Sequence, residues 1–95
     1  MREATIPLGP VADSLSFEVT EVTGAKMLRV DGLDGHRLAS EVAASLAGML
    51  ELPANSPYYF RDDQTARKLA DDDPLGAQIP ATGARLMVVP KTKLG

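Results

Sequence analysis

A single helical stripe is the feature that most constrains how this chain can fold. From about His36, apolar residues recur at the spacing of one helix face, at Leu38, Val42, Leu46, Met49 and Leu50. Pro53 closes this stretch because the residue before a proline disfavours helical backbone, and Asp34 is the expected N-cap. We therefore expect one main helix of about four turns, able to cover one face of a small sheet.

Four short segments have the pattern of β-strands. LSFEVTEV, from Leu15, alternates apolar and polar residues, and KMLRVDG, from Lys26, follows it after a turn at Gly24, which predicts a hairpin. YYFR at Tyr58–Arg61 is a short aromatic strand, and RLMVV at Arg85–Val89 is apolar on both faces. This order predicts an α+β fold in which a mixed sheet of four to five strands packs on the helix.

The chain has 95 residues, which is the size of one domain. We divide it into an N-terminal extension (residues 1–14), a folded domain (15–89) and a C-terminal tail (90–95). Within the domain, residues 62–83 have no regular period, and single apolar residues at Leu69, Leu75 and Ile79 are the expected anchors of this irregular segment.

Composition excludes several classes of protein. A net charge of −3 argues against nucleic acid or an anionic membrane as a partner, and no stretch is apolar enough to span a membrane. With no cysteine, the chain has no disulfide, thiolate nucleophile or cysteine zinc site. His36 has no visible catalytic partner, and Asp71–Asp73 is interpreted as a solvated acidic turn. We expect a cytoplasmic protein that is not an enzyme and needs no metal or cofactor.

The order of elements, and the run from Tyr58 to Gly95 in particular, resembles ubiquitin. YYFRDD stands where that family has its third strand and the following turn, and ARKLADDDPLGAQI is similar to the family's acidic loop and short helical turn. GARLMVVPKTKLG follows the last strand and tail without a gap, so the resemblance covers residues 15–95. Two departures are Leu94, where the family has a first glycine, and Pro90, which stiffens the root of the tail.

The resemblance implies a ubiquitin-like β-grasp fold and a protein modifier that is conjugated to targets, and the composition, rich in alanine, aspartate and arginine, suggests a bacterial source with a GC-rich genome. It implies that an activating enzyme adenylates the Gly95 carboxylate with ATP and Mg²⁺, that the acyl group then passes as a thioester to enzyme cysteines, and that it ends on an amine or hydroxyl of a target. The implied partners are activating and conjugating enzymes, a deconjugating protease and the modified target proteins. Leu94, Lys93 and Lys91 are the residues that we expect these partners to recognise in the tail.

Met87, Val89 and Tyr59 are the expected noncovalent docking patch. Alternation in the last strand places Leu86 and Val88 in the core and the other two residues outside, and one tyrosine of YYF must face away from the helix. Besides the N-terminus, only four amines are present, and the sequence does not select one for self-linkage: Lys26, Lys68, Lys91 and Lys93.

Two alternatives of other classes stay open. A noncovalent ubiquitin-like interaction domain, such as a secretion-system accessory, would need the patch but not Gly95. A small sulfur carrier would end in Gly-Gly and hold a C-terminal thiocarboxylate, and both Leu94 and the long irregular segment argue against it.

Overall fold

The alternating segments form a four-stranded mixed sheet with the order β2-β1-β4-β3. The computed structural model describes residues 11–53 and 56–91, and it gives the strands as β1 (Ser14–Glu21), β2 (Met27–Asp34), β3 (Tyr58–Asp62) and β4 (Thr82–Pro90). β1 pairs with β2 as an antiparallel hairpin and with β4 in parallel, while β3 is antiparallel to β4. β4, the strand whose two faces are apolar, is therefore a central strand, and the sheet is mixed as the sequence predicts.

The helix is shorter than the sequence suggested. α1 spans Ala39–Met49, which is about three turns, and its last residue Met49 is 66% exposed although the helical stripe placed it in the core. The expected N-cap at Asp34 is wrong: Leu38 holds that position and no side chain caps the helix. The first amide groups of the helix donate instead to backbone carbonyls of the acidic turn, over distances of 3.1 Å. Such a long-range cap has no signature in the local sequence.

The core lies between the helix and one face of the sheet. Alternate residues of β1, β3 and β4 point into it, and Phe17 meets Phe60 edge to face at a centroid distance of 6.4 Å. The irregular segment adds the three predicted anchors, Leu69, Leu75 and Ile79, all buried, and Leu75 begins a short 3₁₀ helix, Leu75–Ala77. The opposite face of the sheet has no helix over it among the described residues.

Candidate functional site

The predicted tail leaves the domain at the end of β4. Pro90 is the last residue of the strand and lies opposite Tyr58. The N–H of Lys91 donates to the carbonyl of Pro57 at 2.9 Å, so the pairing of β3 with β4 continues for one more residue. Three of the predicted site residues, Lys93, Leu94 and Gly95, lie outside the described residues.

Lys91 is held against the domain. Its Nζ donates to Oδ2 of Asp71 at 2.5 Å, and the side chain of Asp71 is only 20% exposed. The other carboxylate oxygen, Oδ1, is buried and accepts no hydrogen bond. The backbone carbonyl of Asp71 accepts the N–H of Ser40 in the first turn of α1, which ties this aspartate to the helix as well. The acidic turn is thus only partly solvated, because Asp71 is engaged on both sides.

The predicted patch lies on the open face of the sheet. Tyr59 is directly opposite Val89 across the β3–β4 pair, and Met87 is opposite Arg61. Tyr59, Met87 and Val89 are all half-buried, whereas their neighbours Tyr58 and Phe60 point into the core. The structure therefore brings the three predicted residues together on one surface, which we call the apolar patch.

The same face carries residues that sequence reasoning did not assign to the patch. Met27 of β2, 63% exposed, is opposite Thr20, and Thr20 is in turn opposite Met87, so a single row of side chains crosses three strands. Alternation along β2 predicts that Met27 and Leu28 face opposite sides of the sheet. Only the parallel pairing of β1 with β4 brings Met27 beside the apolar patch. That pairing is long-range and could not be predicted from local periodicity.

Two cations lie at the margin of the apolar patch. Lys68 Nζ stands 4.9 Å from the centroid of the Tyr59 ring, and an isolated bridge pairs Lys68 with Arg61. Neither side chain belongs to an ion pair among residues 11–53 and 56–91. The patch is therefore apolar at its centre and positively charged along the β3 side.

His36 sits between two carboxylates near the start of the helix. Its Nδ1 is 3.1 Å from Oδ1 of Asp34, and its Nε2 is 3.7 Å from Oδ1 of Asp13. The backbone N–H of His36 and then its ring hold the pKa of Asp34 below the usual value.

In the part of the chain that the structure describes, no group of three or more acidic or histidine side chains could hold a metal ion. No helix there is long and apolar enough to cross a membrane.

Comparison with known proteins identifies the fold. No family model and no curated protein matches the chain in sequence. Among solved structures, the ubiquitin of Caldiarchaeum subterraneum is similar with a TM-score of 0.64 and 17% identity, over 86% of this chain and 99% of that one. A designed protein based on ubiquitin has a TM-score of 0.65 and 18% identity, over 85% and 93% of the two chains. The ubiquitin-like domain of Plasmodium falciparum Dsk2 has a TM-score of 0.64 and 14% identity, over 82% and 99%. The chain thus has the ubiquitin-like β-grasp fold.

Proposed function

We propose that this chain is a ubiquitin-like protein modifier of a bacterial conjugation system, activated at Gly95 and joined to target proteins by an isopeptide bond. The observation that carries the proposal is the place of β4. This central strand leads directly into the tail at Lys91, and its outward residues Met87 and Val89 form part of the apolar patch. An enzyme that binds the patch would find the tail at the end of the same strand.

In this proposal the chain is a passive substrate. An oxygen of the Gly95 carboxylate attacks the α-phosphorus of ATP, pyrophosphate leaves, and an acyl adenylate forms. A cysteine thiolate of the activating enzyme then attacks the acyl carbon and expels AMP, and an amine of the target displaces that thiol. A terminal residue without Cβ suits a narrow cleft, because no side chain obstructs the nucleophile or restricts the backbone.

The tail would be recognised as an extended ligand. Lys93 and Leu94 supply a charge and an apolar side chain next to the reacting glycine, and a peptide that binds in an extended conformation can add to a partner as a strand. Lys91 already pairs with Asp71, so its ammonium reaches a partner only when that pair opens. We therefore expect recognition of the tail to depend on Lys93 and Leu94 more than on Lys91.

Co-expression of an N-terminally tagged copy with its chromosomal neighbours tests the proposal. Intact mass and gel mobility should show adducts with the full chain and none with a Gly95-deleted copy. A Gly95→Ala variant, which keeps the length of the tail and adds only Cβ, should give fewer adducts. Equal adducts from the full and the deleted chains would contradict activation at Gly95. A gain of about 16 Da without adducts, oxygen replaced by sulfur, would indicate a sulfur carrier.

A noncovalent ubiquitin-like interaction domain is the second candidate. The apolar patch favours it, since an exposed apolar surface of this kind is typical of a partner site and needs no tail. One of the similar structures is itself a ubiquitin-like domain, that of Plasmodium falciparum Dsk2. Capture of the same partners by the full and the Gly95-deleted chains, without adducts, would favour this candidate.

A further inference from the structure

β2 is an edge strand that α1 covers only in part. Among the described residues no strand pairs with its outer edge, and α1 packs mainly on β3 and β4. The β2 side chains on the helix side of the sheet, Leu28, Val30 and Leu33, are only half-buried. An apolar groove therefore runs between β2 and α1, lined by Leu28, Val30, Leu33, Val42, Leu46 and Met49. The outer edge of β2 is thus open to another strand.

Two opposite charges lie side by side on the other face of β2. Arg29 Nε is 3.4 Å from Oδ1 of Asp31, and the two side chains are 64% and 63% exposed. Arg29 also lies opposite Glu18 of β1, with 3.9 Å between the charged groups. Directly after Asp31 the strand bulges at Gly32, which has a φ of +72°, so regular pairing along β2 is confined to residues 27–31. This regular stretch carries a cation and an anion two residues apart.

An antiparallel copy of the same strand can align with this stretch in only a few registers. Directly opposite residues of antiparallel strands share a face, so a two-fold axis must pass between one residue and its own copy. An axis at Arg29 or at Asp31 places like charges opposite each other, which is destabilising. Only an axis at Val30 brings Arg29 opposite Asp31, and it does so twice, once on each side of the axis. The charge pattern of β2 is therefore complementary to itself.

We propose that a second copy of this chain pairs with β2 and forms a two-fold dimer with Val30 at the axis. Arg29 of each copy lies opposite Asp31 of the other, and the two apolar grooves meet on the helix side. The pairing joins the two sheets into one of eight strands. Because the bulge limits it to a few residues, the dimer is weak. The inference goes beyond the proposed function and does not depend on it, since neither the tail nor Gly95 takes part.

Such a dimer leaves the apolar patch free on both copies. The patch lies on β3 and β4, at the far side of the sheet from β2. An axis perpendicular to the sheet keeps the two patches on the same face, and five strand spacings of about 4.8 Å put the β4 strands about 24 Å apart. A partner with two binding sites would therefore engage both copies at once, with a gain in avidity.

Sedimentation equilibrium tests the dimer directly. From about 10 μM to about 1 mM, the unchanged chain should show a monomer–dimer equilibrium with a dissociation constant on the order of 0.1 mM, as suits a small interface. The Gly95-deleted chain should dimerise equally, so a failure of conjugation leaves this inference intact. A chain that stays monomeric throughout would overturn it, and the groove would then have another occupant.

Charge exchange tests the register. Arg29→Asp alone and Asp31→Arg alone should each weaken the dimer at least about tenfold, because each places like charges opposite each other. The double variant, Arg29→Asp with Asp31→Arg, should dimerise as the unchanged chain does. An equimolar mixture of the two single variants should associate more strongly than either alone, since every opposed pair then has opposite charges. A mixture that associates no better than its components would overturn the inference.

Arg85→Asp is the matched control. Arg85 lies opposite the same Glu18 as Arg29 does, but on the interior strand β4. The change therefore has the same effect on net charge and on Glu18, and it should leave the dimer unchanged. Equal weakening by Arg85→Asp and Arg29→Asp would overturn the assigned register, because net charge alone would then explain both. A dimer lost in Met87→Glu but kept in Arg29→Asp would overturn it too, since the contact would then lie at the apolar patch.

Discussion

At the scale of single residues, Glu21 is the one buried acidic side chain in the described part of the chain. Its carboxylate accepts the hydroxyl of Thr23 and, at 2.6 Å, the backbone N–H of Thr23. The hydroxyl and then the amide of Thr23 hold the pKa of Glu21 below its usual value. The carboxylate therefore stabilises the turn between β1 and β2 through its charged form.

The pH dependence of folding should reveal this contribution. Because the pKa is lower in the folded state, the stabilisation is complete above the unfolded pKa of about 4.3 and is lost as pH falls through the folded pKa. Glu21→Gln should lower the free energy of unfolding at about pH 7 and have a smaller effect at about pH 3. Urea unfolding followed by circular dichroism measures both, and exposed Asp63→Asn is the control. An equal effect of Glu21→Gln at both pH values would contradict stabilisation of the turn by the charged carboxylate.

The contact of Lys91 with Asp71 is a second residue-scale feature with a measurable consequence. Trypsin cleaves after Lys91 only when the side chain enters the protease, so the ion pair should protect this bond. Asp71→Asn should raise the rate of cleavage there about fivefold, the effect of a partly buried pair worth about 1 kcal/mol. Exposed Asp72→Asn removes the same charge one residue away and should change nothing. Unchanged cleavage in Asp71→Asn would mean that the ion pair does not hold Lys91 against the domain.

At the scale of elements, replacing either of two glycines by alanine should have opposite effects on stability, because the two glycines have different surroundings. A Cβ on Gly35 would lie 1.8 Å from the carbonyl oxygen of Ala12, where the turn after β2 meets the chain before β1. A Cβ on Gly48, inside α1, would meet nothing within 4 Å. Gly48→Ala should stabilise the protein by about 0.5–1 kcal/mol, because alanine loses less backbone entropy in a helix.

Gly35→Ala should destabilise the protein by several kcal/mol, since backbone must move to relieve the overlap. Urea unfolding of the pair gives both values under the same conditions. Stabilisation by Gly35→Ala would contradict the close backbone contact at Gly35. A loss of more than about 1 kcal/mol in Gly48→Ala would contradict the open space at Gly48.

The elements themselves could be predicted from periodicity, whereas the contacts between them could not. Apolar–polar alternation predicts β1 and β2, a short apolar run predicts β4, and helical spacing predicts α1, because these patterns are local. The irregular segment is different. Gln78 accepts the N–H of Ala70 at 2.7 Å through Oε1 and donates to its carbonyl at 2.9 Å through Nε2, and no sequence pattern predicts such a clamp. The same holds for Asp71, which was expected in solvent and instead binds Lys91 and the helix.

At the scale of the whole molecule, the two sides of the sheet have different surroundings. One side is covered by α1 and the irregular segment, so its residues specify the fold. The other side carries the apolar patch and the marginal cations Arg61 and Lys68. A domain that exposes apolar side chains on its uncovered face is suited to binding a partner there.

A matched pair of methionines tests which side of the molecule binds partners. Met27 and Met49 have nearly equal exposure, 63% and 66%, but Met27 lies on the open face and Met49 at the end of α1. Neither change to glutamate should alter stability by more than about 0.5 kcal/mol, because both side chains are exposed. Proteins that bind the tagged chain noncovalently in the co-expression experiment should bind Met27→Glu about tenfold more weakly, as expected for a charge placed inside an apolar contact. Met49→Glu should bind them as the unchanged protein does, and the reverse result would move the docking surface to the helical side.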